Sequence, residues 1–131
     1  MPLRIGAPPA AAVLEALARA VFARIPEPFA AHLAGILVRV EELADDETLG
    51  ALGIEDAWEL SGLYHGRPFG EDGAAGELPP EITLYRLPLL AEWVETGVKL
   101  EDLVFHVVIH EVGHHFGLSD AQMDAIERAA R

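Results

Sequence analysis

Residues 106–120 read HVVIHEVGHHFGLSD and contain four of the six histidines in the chain. On an α-helix, residues four apart are separated by about 40° in azimuth and about 6 Å along the axis. His110 and His114 would therefore present both imidazoles to one point in space, with Glu111 projecting beside that point. The stretch predicts a helix that carries a pair of metal-binding histidines and an adjacent carboxylate.

Two features decide between a helix and a strand for this segment: its length and the residue at which it ends. The β-branched run at 107–109 would suit a buried strand. The length of the apolar segment and the boundary at Gly117 favour a helix that is buried on most sides. Gly117 can adopt the left-handed conformation that ends a helix and turns the chain back toward the metal. Asp120 follows three residues later, so the full pattern is HExxHxxGxxD.

This combination of residues suits a zinc ion with a hydrolytic function. Catalytic zinc usually has three protein ligands and one open position for water, and it lowers the pKa of that water to about 7. Glu111 can accept the proton and pass it to the leaving amine. The full pattern arises by chance roughly once in several thousand chains of this composition. We predict a Zn²⁺ site with His110, His114 and Asp120 as ligands and Glu111 as the catalytic base.

Asp120 also has a purely structural explanation. Ser119 and Gln122 fit a capping box at the start of the next helix. An acidic residue in the first helical turn is favoured by the helix dipole whether or not a metal binds. Asp124 and Glu127 are the alternative carboxylates if Asp120 is not a ligand.

The other residues of the motif segment have different expected roles. His106 lies about 12 Å along the helix axis from His114, too far for one zinc ion to bind both, and is expected to be a packed or hydrogen-bonded core residue. His115 points away from the pair and is expected to support the ligands or to lie at the surface. Gly113 in mid-helix costs about 1 kcal/mol relative to alanine, which indicates close packing of a neighbouring segment.

Composition limits the classes of partner. A chain of 131 residues with 51% hydrophobic residues can form one domain, residues 1–131. A formal net charge of −13 argues against nucleic-acid and membrane partners. The absence of cysteine excludes thiolate ligands. The first helical segment, 10–25, is interrupted by charges and does not read as a signal peptide, so a cytoplasmic location is expected.

Hydrophobic periodicity predicts a domain of class α+β. Apolar residues at 36, 38 and 40 predict a strand with one wet face, and a short strand is predicted at 63–65. The segment 82–87, ITLYRL, is bracketed by prolines, which favours an edge strand. Further helices are predicted over roughly 88–96, over roughly 99–116 and onward from 120.

The motif segment, together with GLYHGRPF at 62–69 and LPPEITLYRLPLL at 78–90, resembles the small bacterial minimal-zincin family of zincin-like metallopeptidases. The resemblance covers roughly residues 20–131. It implies a minimal zincin-like fold, in which a small mixed β-sheet packs against the active-site helix with additional helices around it. It also implies that His110, His114 and Asp120 are the zinc ligands, that Glu111 is the general base, and that the reaction is the hydrolysis of peptide bonds.

The resemblance also implies a peptide or protein substrate. In zincins generally, an extended peptide pairs with an exposed strand above the metal, and ITLYRL is the candidate strand. A plain edge strand protected by prolines explains the same pattern equally well. Tyr64, His65 and Tyr85 are candidate substrate-binding residues that could donate a hydrogen bond to the carbonyl oxygen. The alternative function is a zinc-holding peptide- or protein-binding module with little or no proteolytic activity.

Overall fold

A computed structural model describes residues 7–66 and 79–130. Within these ranges the chain forms five α-helices and one three-stranded sheet, which confirms the predicted α+β class. In chain order the elements are α1 (Ala11–Phe22), β1 (Leu37–Glu41), α2 (Asp46–Leu52), β2 (Gly62–His65), β3 (Glu81–Tyr85), α3 (Arg86–Thr96), α4 (Leu100–Phe116) and α5 (Asp120–Ala130). None of the helices in the described ranges is both long enough and apolar enough to cross a bilayer.

The sheet is mixed, with strand order β1-β3-β2. β3 pairs in parallel with β1 and antiparallel with β2. The prediction that the ITLYRL segment is an edge strand is therefore wrong, because β3 is the central strand. Neither flanking proline lies within β3. Pro80 precedes the strand, and its carbonyl accepts a hydrogen bond from Leu37 N–H of β1 over 2.9 Å. Pro88 lies in the first turn of α3, where a missing N–H costs no helical hydrogen bond.

Residues of β3 that point to opposite faces of the sheet belong to two different hydrophobic clusters. Ile82 and Leu84 of β3 belong to the main core, which also contains the buried residues of α1 and α4. Tyr85 packs on the other side of the sheet with Ala44 and Leu49. The period of two in β3 therefore separates the face that meets α4 from the face that meets α2.

Helix α4 is buried on most of its circumference, as the sequence predicted. It contacts α1, β2, α3 and α5. Burial on these sides explains why the β-branched run at 107–109 is helical, since tertiary packing outweighs the modest strand preference of valine and isoleucine. The helix ends at Gly117, whose φ of 66° and ψ of 34° are left-handed, and Leu118 N–H donates back to the Gly113 carbonyl over 2.9 Å.

The close neighbour that Gly113 predicts is Met123 of α5. A β-carbon added at position 113 would overlap the Sδ and Cγ atoms of Met123. Met123 is buried, with 3% of its surface exposed. A glycine at this point lets α5 pack directly on the segment of α4 that carries the histidines.

Candidate metal centre

The three residues of the HExxH motif have different environments on α4. Glu111 is buried, His110 is partly buried and the side chain of His114 is 56% exposed. The two imidazoles lie one helical turn apart, as the spacing requires. Glu111 Oε1 and His114 Nδ1 are 3.0 Å apart, so the carboxylate contacts one of the two predicted ligands directly.

His110 contains an unsatisfied nitrogen. Its Nε2 is the one buried side-chain nitrogen or oxygen without a hydrogen-bond partner in the described part of the chain. Leaving a buried polar atom unpaired costs about 1–3 kcal/mol, and such atoms are rare in folded proteins. A neutral imidazole nitrogen of this kind is a normal zinc ligand. The residues present therefore fit a metal ion that takes His110 as a ligand.

His110 lies next to His106 and Glu127, which extend the cluster away from His114. The ring centroids of His106 and His110 are 4.3 Å apart. His106 Nδ1 lies 3.1 and 3.2 Å from the two carboxylate oxygens of Glu127. His106 therefore has the hydrogen bond that was expected. The expectation that it lies in the core is wrong, because 51% of its side chain is exposed. Position 106 lies on the helix face that α5 only partly covers.

Asp120 begins α5 and is exposed. The predicted capping box is formed beside it: Ser119 N–H donates to Gln122 Oε1 over 2.8 Å, and Gln122 N–H donates to Ser119 Oγ over 3.2 Å. Among residues 7–66 and 79–130, the group of potential ligand atoms within 4.8 Å of one another consists of His106, His110 and Glu127. The structure thus does not gather His114 and Asp120 around His110 as closely.

Strand β2 lies against the motif. A β-carbon at Gly62 would lie 2.6 Å from Val107 Cγ1 and 3.5 Å from Glu111 Cγ, so glycine permits this close approach. A cleft opens beside the contact. Its lining includes residues 60–62, then His106, His110 and Glu111 of α4, and two further acidic residues, Glu59 and Glu92.

Tyr64 reaches α4 from the same strand. Its hydroxyl lies 2.8 Å from Nδ1 of His115, and the two rings meet edge to face. Burial lowers the pKa of His115, and the nearby His32 lowers it further, so Nδ1 of the neutral imidazole can accept a hydrogen bond from the Tyr64 hydroxyl. His115 is buried, which excludes the surface position considered for it, and its role in supporting the ligands stays a prediction.

The other two candidate substrate-binding residues lie away from α4. His65 and Tyr85 line a groove on the opposite face of the sheet, together with residues of β1 and α2. Tyr85 is buried there, and its pKa is raised by burial and then by Glu41. Of the three candidates, the structure brings only Tyr64 to the helix that carries the motif.

Two residues of the observed cluster were not predicted as primary ligands. Glu127 entered only as an alternative to Asp120, and His106 was assigned to the core. A signal was present in the sequence, since positions 106 and 110 have the same four-residue spacing as 110 and 114. What the sequence could not give is the packing of α5 along α4, which brings a residue 21 positions away to His106.

Comparison with known proteins identifies a family for this chain. Residues 33–130 match a family model described as zincin-like metallopeptidase. The match includes the three strands, α2 to α5 and the complete motif. The chain matches no curated protein.

Proposed function

Because the chain belongs to the zincin-like metallopeptidase family, we propose that it is a zinc-dependent hydrolase of peptide bonds. The observation that carries the proposal is the arrangement on α4: a buried Glu111 beside His110, whose Nε2 has no partner, and in contact with His114. In this proposal the zinc ligands are His110, His114 and Asp120, and Glu111 is the general base.

The exposure of two proposed ligands is compatible with this role. His114 and Asp120 are both exposed, so their side chains can change rotamer without disturbing the core. The Asp120 side chain is exposed at the start of α5, and within the described part of the chain no hydrogen bond or ion pair engages its carboxylate. The left-handed Gly117 supports the proposal, because it turns the chain between the two residues.

When bound, zinc would supply Lewis acidity that polarises the substrate carbonyl and lets water lose a proton near neutral pH. Glu111 lies in the cleft, where its carboxylate can take that proton and deliver it to the leaving amine. Gly62 of β2 packs closely beside Glu111, which is buried, so this contact helps to hold Glu111 in position. Tyr64 orients His115 on the same helix and is placed to act as a positioning residue.

The substrate strand proposed here is β2, in place of β3. Within the described residues, β2 pairs only with β3, so its other edge has backbone groups that a peptide can use. The backbone at Ser61 and Gly62 lines the same cleft as Glu111 and His110. A peptide added along this edge would pass beside the proposed general base.

The test compares Glu111→Gln with Glu101→Gln, a matched control at an exposed position of the same helix. Zinc content is measured on the purified proteins, and peptide cleavage is followed by mass spectrometry on a broad peptide library. We expect Glu111→Gln to retain zinc and lose cleavage, and Glu101→Gln to retain both. A wild-type protein that holds zinc but cleaves no peptide would favour the binding module, and one that holds no zinc would contradict both functions.

A further inference from the structure

We propose that His106, His110 and Glu127 form a second position for a divalent metal ion, separate from the position that the HExxH motif provides. One ligand atom from each of the three residues lies within 4.8 Å of the other two. Two imidazoles and one carboxylate make a donor set that zinc accepts. This position does not depend on peptidase activity.

The geometry of the cluster is fixed by two helices. His106 and His110 lie one turn apart on α4, with ring centroids 4.3 Å apart. Glu127 comes from α5 and meets His106 Nδ1 through both carboxylate oxygens. The packing of α5 on α4, which depends on Gly113 and Met123, therefore holds the carboxylate in place before any ion arrives.

The unpaired nitrogen of His110 is the second observation, and it is independent of the ion pair. A hydrogen-bonded His106–Glu127 pair at the surface is an ordinary structural feature that contributes little to stability. That explanation accounts for His106 and Glu127 but leaves His110 Nε2 buried without a partner. A metal ion that bound His110 through Nε2, together with His106 and Glu127, would give this nitrogen a partner.

The surroundings favour a cation. The cleft lined by His106 and His110 also contains the carboxylates of Glu59, Glu92 and Glu111. Half of the His106 side chain is exposed, so an ion can reach the cluster from solvent. Several acidic groups around one concave surface raise the local concentration of cations.

The two metal positions share His110 and therefore compete. A neutral imidazole has one nitrogen with a free lone pair, so His110 can bind an ion in one position at a time. We infer that the chain holds one ion bound through His110, either toward His114 or toward His106 and Glu127.

The test removes the other ligands first. The variant His114→Asn/Asp120→Asn is titrated with Co²⁺, which reports its ligands by visible absorption, and with Zn²⁺ by equilibrium dialysis. We expect one ion per chain. Adding His106→Asn or Glu127→Gln should weaken binding at least about tenfold, whereas Glu101→Gln, which removes an exposed charge from α4, should leave affinity unchanged.

Three results would overturn the proposal. The first is that the His114→Asn/Asp120→Asn variant binds no ion at about 1 mM Co²⁺. The second is binding that survives both His106→Asn and Glu127→Gln, and the third is an equal loss of affinity with Glu101→Gln. Circular dichroism establishes that each variant is folded. The outcome is separable from the proposed function, because the readout is metal binding and a peptidase test on Glu111 variants can fail while this test succeeds.

Discussion

Because Gly113 contacts Met123, the effect of Gly113→Ala on the free energy of unfolding should depend on whether Met123 is present. Alanine in place of glycine within a helix stabilises it by about 1 kcal/mol. At position 113 the added methyl group would overlap the side chain of Met123, which has only 3% of its surface exposed. Overpacking of this kind costs about 1–3 kcal/mol. We expect Gly113→Ala to lower the free energy of unfolding by about 0–2 kcal/mol.

Removal of the Met123 side chain should turn the destabilising effect of Gly113→Ala into a stabilising one. Met123→Ala alone should cost about 2–5 kcal/mol, because it leaves a cavity under α5. In that background the alanine at position 113 meets no methionine, and its helix propensity should stabilise the protein by about 1 kcal/mol. The double-mutant cycle should therefore give a coupling energy of about 1–3 kcal/mol between the two positions.

The assay is urea denaturation of the four proteins followed by circular dichroism, with EDTA present so that bound metal does not contribute to stability. A Gly113→Ala effect that is the same with and without Met123, within about 0.5 kcal/mol, would refute the packing explanation. A stabilising effect in the wild-type background would show that α5 adjusts without cost.

Three further predictions concern β2 and the sheet. Gly62→Ala should destabilise the fold by about 1–3 kcal/mol, because its methyl group would meet Val107 Cγ1, and Val107→Ala should relieve most of this loss in urea denaturation. Tyr64→Phe should cost about 1 kcal/mol through its hydrogen bond to His115, and the cost should vanish in a His115→Ala background. The pKa of Tyr85 is raised from 10.0, so the folded state disfavours its ionisation. The protein should therefore lose stability as pH rises from about 10 through that raised pKa, and Tyr85→Phe should reduce the loss, whereas an equal alkaline loss in the variant would contradict it.

Much of the site could be predicted from sequence because it is local. The spacing of His110, Glu111 and His114 on a helix, the end of that helix at Gly117 and the capping box after it all depend on residues within a few positions of one another. Backbone geometry alone fixes such relations, and the structure contains each of them. The ligand role of Asp120 and the catalytic role of Glu111 stay predictions that metal analysis and cleavage assays can check.

Strand order and the contacts of α5 were decided by tertiary structure. The prolines around β3 favoured an edge strand, yet Pro80 and Pro88 both lie outside the bounds of β3 and the strand is central. Position 106 has the same helical spacing as 110 and 114, but its partner Glu127 comes from another helix. Sequence specifies which residues share a face of one element, because helices and strands have fixed periods. Which faces meet depends on how the whole chain buries its apolar surface, and that packing brings Glu127 to His106 and Gly62 to Glu111.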